Sequence, residues 1–401
     1  MQTLEDFYGF MREVHTVRRA VTSYYLMDAH RPEHIRSLEE ALSALDSLPG
    51  DRFDKKLSAG GFETTVTLDY ERTELEKDIV FLESATGRPE AFAEYLATHN
   101  AELGRTRAFA RELQETVRFL RDTPIANFIT DRDGTVNNYC GRYRSSHQSV
   151  WNAAYLTRFA RQRTRESVIL TSAPLLTDGL LELTAMPAGS AHYAGSKGRE
   201  YHGRDGAKGA MEIDEAKAAA LDELNRRLDE LVAREEYRAF GVIGSGIQHK
   251  FGQTTVARQD IHGSIPQAAS REFLERVRAL VGELDPDGAT FGVEDTGKDI
   301  EITLTVEGQR EFTKGDGIGF LDAALDLDLA SGPNLICGDT WSDLPMVERA
   351  AERSGPDGTA AIFVTDDDEL RAAVARVVSR CHFVPAPDVL VAALHETRED
   401  V

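Results

Sequence analysis

Four short apolar segments, each followed by a polar residue, constrain the fold of this chain more than any other feature. The segments and the residues after them are 126–130 with Asp131, 167–170 with Thr171, 334–338 with Asp339, and 360–364 with Thr365. Helix-like sequence lies between them, and this alternation is typical of a parallel sheet covered on both faces. Ligands bind at the carboxyl edge of such sheets. We therefore expect Asp131, Thr171 and Asp339 to lie along one rim.

The spacing of these segments predicts an inserted domain. The intervals from Asp131 to Thr171 and from Lys314 to Asp339 each fit one crossover helix with its loops. The interval from Thr171 to Lys314 is far longer and contains further strand-like and helix-like segments. We therefore predict an α+β lid at residues 201–304, inserted into a Rossmann-like α/β core formed by residues 123–200 and 305–401.

Residues 1–122 are predicted to form a separate all-α helix-bundle domain. Apolar residues recur every three or four positions from Leu4 to Tyr24 and again from Ile35 to Leu48, which is the pattern of amphipathic helices. Pro124 marks the boundary, because helices usually end before a proline. This domain contains no motif with chemistry of its own. It offers a surface for self-association or for a protein partner.

Charge and composition exclude several classes of function. The formal net charge of -22 argues against nucleic acid and anionic membranes as partners. No apolar stretch is long enough to span a membrane, and the first residues lack the apolar segment of a secretory signal. The three cysteines are widely spaced and odd in number, which indicates neither a disulfide framework nor a zinc site. A reducing, cytoplasmic location is therefore expected.

The sequence DRDGT at residues 131–135 places two carboxylates just after the first predicted strand. Gly134 permits the turn that would direct both Asp131 and Asp133 toward one ion. An EF-hand loop is excluded, because Val136 and Arg142 occupy the positions where that loop needs glycine and glutamate. Taken alone, however, the motif is also compatible with a solvated acidic turn.

Other polar residues at the same predicted edge favour a phosphate site over an acidic turn. Asp339 and Asp343 follow the third apolar segment, and carboxylate oxygens are the ligands that Mg²⁺ prefers. Lys314 offers a point charge for phosphoryl oxygens, and Thr171 offers a hydroxyl and a backbone amide. The combination is far more specific than any of its parts.

These motifs resemble those of the haloacid dehalogenase-like phosphatases. The resemblance implies that Asp131 is the nucleophile, that Asp133 is the acid/base, and that Thr171 and Lys314 contact the phosphoryl group. It also implies a Mg²⁺ site formed by Asp131, the Asp133 carbonyl, Asp339 and Asp343, and a large lid of the C2 type between the second and third motifs.

Within that superfamily, segments of the predicted lid and the adjoining core resemble the trehalose-6-phosphate phosphatases, above all their nematode-type branch. The matching segments are YAGSKGRE at 193–200, IQHKFG at 247–252 and KDIEI at 298–302. The resemblance implies substrate-binding roles for Gly195, Ser196, Lys197, Glu200, Gln248, Lys250 and Glu301. Gln248 replaces the glutamate of the commoner branch, and Arg132 replaces an apolar or aromatic residue without any functional reason evident in the sequence.

The expected activity is Mg²⁺-dependent hydrolysis of trehalose 6-phosphate through an aspartyl-phosphate. The core motifs do not separate this substrate from sucrose phosphate or another compatible-solute phosphate, since only the lid reads the sugar. A scaffold or regulatory protein built on the same fold is a second alternative. It is disfavoured because all four catalytic and metal-binding acids are present. A phosphomutase is disfavoured by the position of the lid.

Overall fold

The fold is described from a computed structural model of the chain, for residues 1–85, 88–305 and 312–397. The upper bound of the predicted core, residue 401, lies outside these residues. Within the described ranges, no helix is both long enough and apolar enough to cross a membrane.

Among its described residues, the N-terminal domain has five helices and one β-hairpin. Its elements are α1 (Leu4–Leu26), α2 (Pro32–Asp46), β1 (Asp54–Ala59), β2 (Phe62–Thr67), α3 (Asp69–Ser84), α4 (Pro89–Glu102) and α5 (Phe109–Arg121). The helical bundle is confirmed, but the prediction that it is all α is wrong, because β1 and β2 pair antiparallel over their full length. Helix α1 begins with a capping box, in which Thr3 and Asp6 satisfy each other's backbone N–H groups.

The first half of the core follows directly. Its elements are β3 (Asn127–Asp131), α6 (Val150–Arg163), β4 (Glu166–Leu170), the short α7 (Leu180–Leu183), β5 (His192–Gly195), β6 (Glu200–His202) and β7 (Lys208–Ala210). Both flanking strands of β3 run parallel to it, and every residue of β3 is buried. Strands β6 and β7 extend the same sheet in antiparallel fashion. The predicted lid boundary after residue 200 therefore falls inside this extension of the core sheet.

The segment between the two halves of the core forms an α+β layer. Its elements are α8 (Glu215–Val232), β8 (Ile247–Lys250), β9 (Gln253–Ala257), α9 (Gln267–Leu284), β10 (Phe291–Asp295) and β11 (Asp299–Leu304). The four strands form an antiparallel sheet in the order β10-β11-β9-β8. Burial alternates along β11, since Ile300, Ile302 and Leu304 point into the core and the residues between them are partly exposed. The second face of this sheet is therefore polar.

The second half of the core returns to the parallel sheet. Its elements are α10 (Lys314–Leu325), β12 (Asn334–Gly338), α11 (Leu344–Ser354), β13 (Thr359–Val364), α12 (Asp368–Val377), β14 (Cys381–Val384) and α13 (Pro387–Glu396). The full sheet has the order β14-β13-β12-β3-β4-β5-β6-β7. Strands β12 and β3 are neighbours, although they lie far apart in sequence. This pairing brings the polar residues that follow them to one edge, which confirms the predicted parallel sheet.

Candidate active site

Asp131 is the last residue of β3 and is 4 % exposed. Its Oδ1 accepts a hydrogen bond from Lys314 Nζ at 2.6 Å, and its Oδ2 accepts one from Thr135 Oγ1 at 3.2 Å. The carboxylate is therefore held at the carboxyl edge of the sheet by a cation and by a hydroxyl from its own turn.

Lys314 is the first residue of α10 and is buried. The start of this helix is fixed by a capping box between Thr313 and Asp316. The ammonium group also donates to Asp343 Oδ1 at 2.5 Å. Lys314 therefore bridges Asp131 and Asp343, and it supplies positive charge that a cluster of buried carboxylates requires.

Asp339 follows β12, and Asp343 lies at the start of α11. The second oxygen of Asp343 accepts hydrogen bonds from the backbone N–H groups of Asp339 and Thr340, each at 3.0 Å. One carboxylate oxygen from each of Asp131, Asp339 and Asp343 lies within 4.8 Å of the other two. Hard oxygen ligands gathered in this way suit Mg²⁺, since that ion is bound through carboxylates, waters and phosphate oxygens.

The cluster perturbs the pKa of each of its carboxylates. Burial raises the pKa of Asp131 to about 7, although Lys314 opposes the shift, and Asp343 adds to it. Burial raises the pKa of Asp339 to about 8, with further contributions from Asp131 and Asp343. Burial opposes ionisation of Asp343 as well, but Lys314 and the backbone N–H groups outweigh it and hold the pKa of Asp343 below its usual value. The cluster thus holds more negative charge than Lys314 alone neutralises, which favours a divalent cation.

Gly134 is required by the turn that follows Asp131, which packs against Asp339. Its φ of +89° lies in the left-handed region, and a Cβ at this position would collide with Asp339 Oδ2. The glycine in the DRDGT motif therefore serves two purposes. It permits the turn, and it leaves room for the carboxylate of Asp339.

Asp133 lines the same cavity as Asp131 and is hydrogen-bonded to Arg132 and Ser146. Arg132 Nη1 donates to Asp133 Oδ1 at 2.5 Å, and Ser146 Oγ donates to the same oxygen at 3.0 Å. Arg132 also donates to Ser146 Oγ and to the Ser146 carbonyl oxygen. Arg132, whose role was not evident from the sequence, is therefore a buried hydrogen-bonding partner of Asp133.

The core residues face a cavity of about 360 Å³ whose opposite wall is formed by the α+β layer. Asp131, Asp133, Thr171, Lys314 and Asp339 line its core side. Gln248 and Lys250 line its lid side. Burial lowers the pKa of Lys250 to about 8, while Glu301 partly opposes the shift. The cavity thus lies between the charged side chains of the core and the polar side chains of the α+β layer.

The predicted lid residues share one face of the lid sheet. Gln248 and Glu301 each lie directly opposite Thr255 in neighbouring strands, so the three side chains are on the same face. Lys250 is two residues beyond Gln248 and shares that face as well. Glu301 Oε2 accepts from Gln253 Nε2 at 3.0 Å and is not among the residues that line the cavity.

The predicted substrate-binding segment at 195–200 lies beside the cavity rather than in its lining. Ser196 Oγ donates to Glu200 Oε1 at 2.6 Å and accepts from the backbone N–H of Phe251 at 2.8 Å. Ser196 and Lys197 both have positive φ, and a Cβ at Gly195 would collide with the backbone of Leu175. In this structure the segment connects the core to the turn after Lys250, and its substrate-binding role stays a prediction.

Several cavity residues were not predicted from the sequence. Tyr139, Tyr143, Ser245, Lys298 and Asp299 all line the cavity. Tyr139 is 72 % exposed, although it lies in the cavity wall. The available signals in the sequence were its closeness to the DRDGT motif and the resemblance of the Tyr139-Cys140 pair to the nematode-type branch.

Comparison with known proteins identifies two matching families that cover different parts of the chain. Residues 128–390, more than half of the chain, match the family described as "Trehalose-6-phosphate phosphatase, C-terminal". Residues 3–98 match the "Trehalose-6-phosphate phosphatase N-terminal helical bundle domain". The two matched ranges do not overlap.

The chain is also similar to individual proteins. A trehalose-phosphatase from Brugia malayi is 31% identical, over 99% of this chain and 86% of its own length. The α,α-trehalose-phosphate synthase 1 of Caenorhabditis elegans is 32% identical over 98% of this chain, but the chain spans only 31% of that longer protein. Among solved structures, the trehalose-6-phosphate phosphatase of Aspergillus fumigatus aligns over 71% of this chain and 97% of its own, with 16% identity and a TM-score of 0.39.

The first of these relatives is matched along most of both chains, and the phosphatase family match contains all the carboxylates of the site. The chain therefore belongs to the trehalose-6-phosphate phosphatase family.

Proposed function

We propose that this chain hydrolyses trehalose 6-phosphate to trehalose and phosphate. The observation that carries the proposal is the single cavity described above. One wall holds Asp131, Thr171 and Lys314, and the other holds Gln248 and Lys250. Phosphoryl chemistry and sugar recognition can therefore act on one molecule. Membership in the trehalose-6-phosphate phosphatase family supports this choice of substrate.

The carboxylate cluster fits a Mg²⁺ ion. Asp131 and Asp339 would hold it directly together with the Asp133 carbonyl, and Asp343 would hold its waters. Two observations support this assignment. Three carboxylates lie close together, and the pKa values of Asp131 and Asp339 are raised, as expected of a cluster that lacks enough positive charge. When bound, Mg²⁺ lowers the repulsion between an anionic nucleophile and an anionic phosphate.

Asp131 acts as the nucleophile. One carboxylate oxygen forms a bond to phosphorus while the bond from phosphorus to the sugar 6-oxygen breaks, which yields an aspartyl-phosphate and an alcohol. Lys314 orients Asp131 through its 2.6 Å hydrogen bond, and both Lys314 and Thr171 stabilise the negative charge on the phosphoryl oxygens. Water then attacks the phosphorus of the intermediate, which releases phosphate and restores Asp131.

Asp133 transfers the protons. It donates one to the departing 6-oxygen and then accepts one from the attacking water. Within the described residues, the hydrogen bonds from Arg132, Ser146 and Asn137 all go to Oδ1 of Asp133. Its Oδ2 is therefore left for the leaving group and the water.

The sugar is recognised by the polar face of the lid sheet. Lys250 and Gln248 lie in the cavity wall, and Glu301 lies on the same face beside them. Trehalose is rich in hydroxyl groups, so a site of donors and acceptors suits it better than an apolar pocket would. The residues at 195–200 would contribute by holding the lid turn near Phe251. A different disaccharide phosphate, such as sucrose phosphate, is the alternative, because the core chemistry does not depend on the sugar.

Phosphate release from a substrate panel tests the proposal. The purified chain is incubated with trehalose 6-phosphate, sucrose 6-phosphate, glucose 6-phosphate and p-nitrophenyl phosphate, each with and without Mg²⁺. We expect the highest kcat/KM for trehalose 6-phosphate, and activity that is lost on chelation and restored by Mg²⁺. Preference for sucrose 6-phosphate would assign the alternative substrate. Inactivity on every phosphate would favour the scaffold hypothesis.

The remaining expectations about setting and partners stay proposals. The described cysteines are not disulfide-bonded, which is compatible with a reducing, cytoplasmic location. The helical domain offers the surface for self-association or a protein partner, and light scattering across a concentration series tests the former.

A further inference from the structure

Helix α3 of the N-terminal domain buries charged and polar side chains on one face. Tyr70, Glu71, Glu74, Lys77 and Asp78 are all buried. Residues at this spacing lie on adjacent turns of one helical face. Charged groups are seldom fully buried unless they are paired, so this face must have polar partners.

Asp78 pairs with Arg18 of α1, and several other partners lie in α6 or in the segment that joins β3 to α6 and carries Asp133. Asp78 Oδ1 accepts from the backbone N–H of Val150 at 2.7 Å and of Trp151 at 3.3 Å, which satisfies the first N–H groups of α6. Glu71 Oε1 accepts from Arg142 Nη2 at 2.8 Å and from Ser145 Oγ at 2.5 Å. The helical domain therefore holds this active-site segment at several points.

Glu74 adds a further point of attachment and ties the segment to the end of the core. Its Oε1 accepts from Asn138 Nδ2 at 3.1 Å and from Lys77 Nζ at 2.8 Å. Lys77 Nζ in turn lies 2.8 Å from Asp388 Oδ2, on the last helix of the core. The buried charges are thus paired across the contact between the helical domain and the core, and their positions are mutually fixed.

The Tyr70 hydroxyl lies closest to the acid/base turn. It donates to the His147 carbonyl oxygen at 2.9 Å and accepts from Asn137 Nδ2 at 3.1 Å. Asn137 closes the turn with its backbone, because its N–H donates to the Arg132 carbonyl oxygen and its carbonyl oxygen accepts from Gly134 N–H, each at 2.8 Å. The Tyr70 hydroxyl therefore contacts Asn137, whose backbone closes the turn that sets the direction of Asp133.

The second partner of Tyr70 leads to Asp133 by another route. His147 follows Ser146, and Ser146 Oγ donates to Asp133 Oδ1 at 3.0 Å. Asn137 Nδ2 also lies 3.3 Å from Ser146 Oγ. One hydroxyl thus fixes both the turn that carries Asp133 and the serine that holds its carboxylate.

We propose that helix α3 is a positioning element of the active site, and that the Tyr70 hydroxyl sets the orientation of Asp133 through Asn137 and Ser146. The inference rests on the proposed function, since it assigns a role relative to the acid/base of that reaction. Tyr70 is a positioning residue and does not contact the substrate. Its loss should affect the proton-transfer steps more than binding, because the lid residues that face the sugar lie on the opposite wall.

The test compares Tyr70→Phe with Tyr8→Phe in the full chain. Tyr8 is the matched control, because its buried hydroxyl belongs to the same domain but donates to the Val242 carbonyl oxygen at 2.9 Å, away from the acid/base turn. Both variants lose one buried hydroxyl, so we expect similar losses in stability toward urea. We expect Tyr70→Phe alone to lower kcat for trehalose 6-phosphate by about 10- to 100-fold, with KM within about twofold of the unaltered chain.

A second variant keeps the inference testable if Tyr70→Phe folds poorly. Asn137→Ala removes the next contact along the same route, and we expect a similar loss of kcat at unchanged KM. Combined with Tyr70→Phe, the losses should be less than additive, because both changes interrupt the connection through Asn137.

Equal kcat values for Tyr70→Phe and Tyr8→Phe would overturn the inference and leave α3 a purely structural role, as would independent, additive losses in the double variant. Absence of activity in the unaltered chain is a different result, and it would refute the proposed function itself.

Discussion

Replacing Gly134 with alanine tests the link between the acid/base turn and the metal site. The added Cβ would occupy the space of Asp339 Oδ2, so that carboxylate must move out of the cluster with Asp131 and Asp343. The change also places a side chain at φ +89°. Two effects are therefore expected, one on backbone strain and one on the metal site.

The two effects differ in size and can be separated by a control. A left-handed residue other than glycine costs about 1–2 kcal/mol in the free energy of unfolding. Gly206 has φ +88° and no atom within 4 Å of the position of a Cβ, so Gly206→Ala carries the strain without the collision. Losing an outer-shell contact at a metal site typically costs about 10- to 100-fold in affinity, or about 1.4–2.8 kcal/mol, and displacing a direct ligand should cost at least as much. Only Gly134→Ala should show this second loss.

Isothermal titration with Mg²⁺ and urea unfolding measure the two quantities on the same samples. We expect both variants to lose similar stability, and Gly134→Ala alone to bind Mg²⁺ more weakly and to need more Mg²⁺ for half-maximal phosphate release. If Gly134→Ala and Gly206→Ala bind Mg²⁺ equally well, Asp339 does not hold the ion in the way proposed.

Three further predictions concern the lid, the lysine bridge and pH. Lys250→Ala should reduce hydrolysis of trehalose 6-phosphate more than hydrolysis of p-nitrophenyl phosphate. The control Lys208→Ala, at an exposed position, should change neither activity. Equal losses on both substrates in Lys250→Ala would argue against sugar recognition by Lys250. Lys314→Met leaves buried carboxylates without their cation, so it should lower the free energy of unfolding in urea by about 3–5 kcal/mol, and by less when Mg²⁺ is present. An unchanged free energy of unfolding would contradict the buried bridge. The folded pKa values of Asp131 and Asp339, about 7 and about 8, exceed the value of 3.8 for an unperturbed aspartate. The metal-free chain should therefore lose stability as pH rises between about 4 and 8, and its Mg²⁺ affinity should rise over the upper part of that range. A Mg²⁺ affinity that stays flat between about pH 6 and 8 would refute this prediction.

The sequence predicted that Asp131, Thr171 and Asp339 lie close together, for a physical reason. Asp131, Thr171 and Asp339 each follow a buried strand, and parallel strands bring their carboxyl ends to one edge whatever their distance along the chain. The structure adds the lysine bridge between Asp131 and Asp343, which no spacing in the sequence specifies.

The N-terminal domain was predicted less completely. The β-hairpin at residues 54–67 has threonines and lysines rather than a strong apolar alternation, so its strands carry little signal. Helix α3 looks like a solvated helix in sequence, because its buried face is charged. The partners that neutralise this face, such as Asp388 opposite Lys77, lie hundreds of residues away and become neighbours only in the folded chain.

Arg132 shows the same limit within the active site. Its sequence position between two catalytic acids suggests nothing, because a buried arginine there needs acceptors from elsewhere. Ser146, which lies 14 positions further along the chain, supplies them together with Asp133. Local motifs therefore predicted the reacting groups, whereas the side chains that contact them were visible only in three dimensions.

The central claim is that Asp131 becomes covalently attached to the phosphoryl group of trehalose 6-phosphate. Acid quenching during turnover of substrate labelled with ³²P, followed by peptide mapping, measures this directly. We predict label on the peptide that contains Asp131, and neither label nor turnover in Asp131→Asn, with the variant folded as judged by circular dichroism. Full turnover by Asp131→Asn, or label on a different residue, would contradict the account.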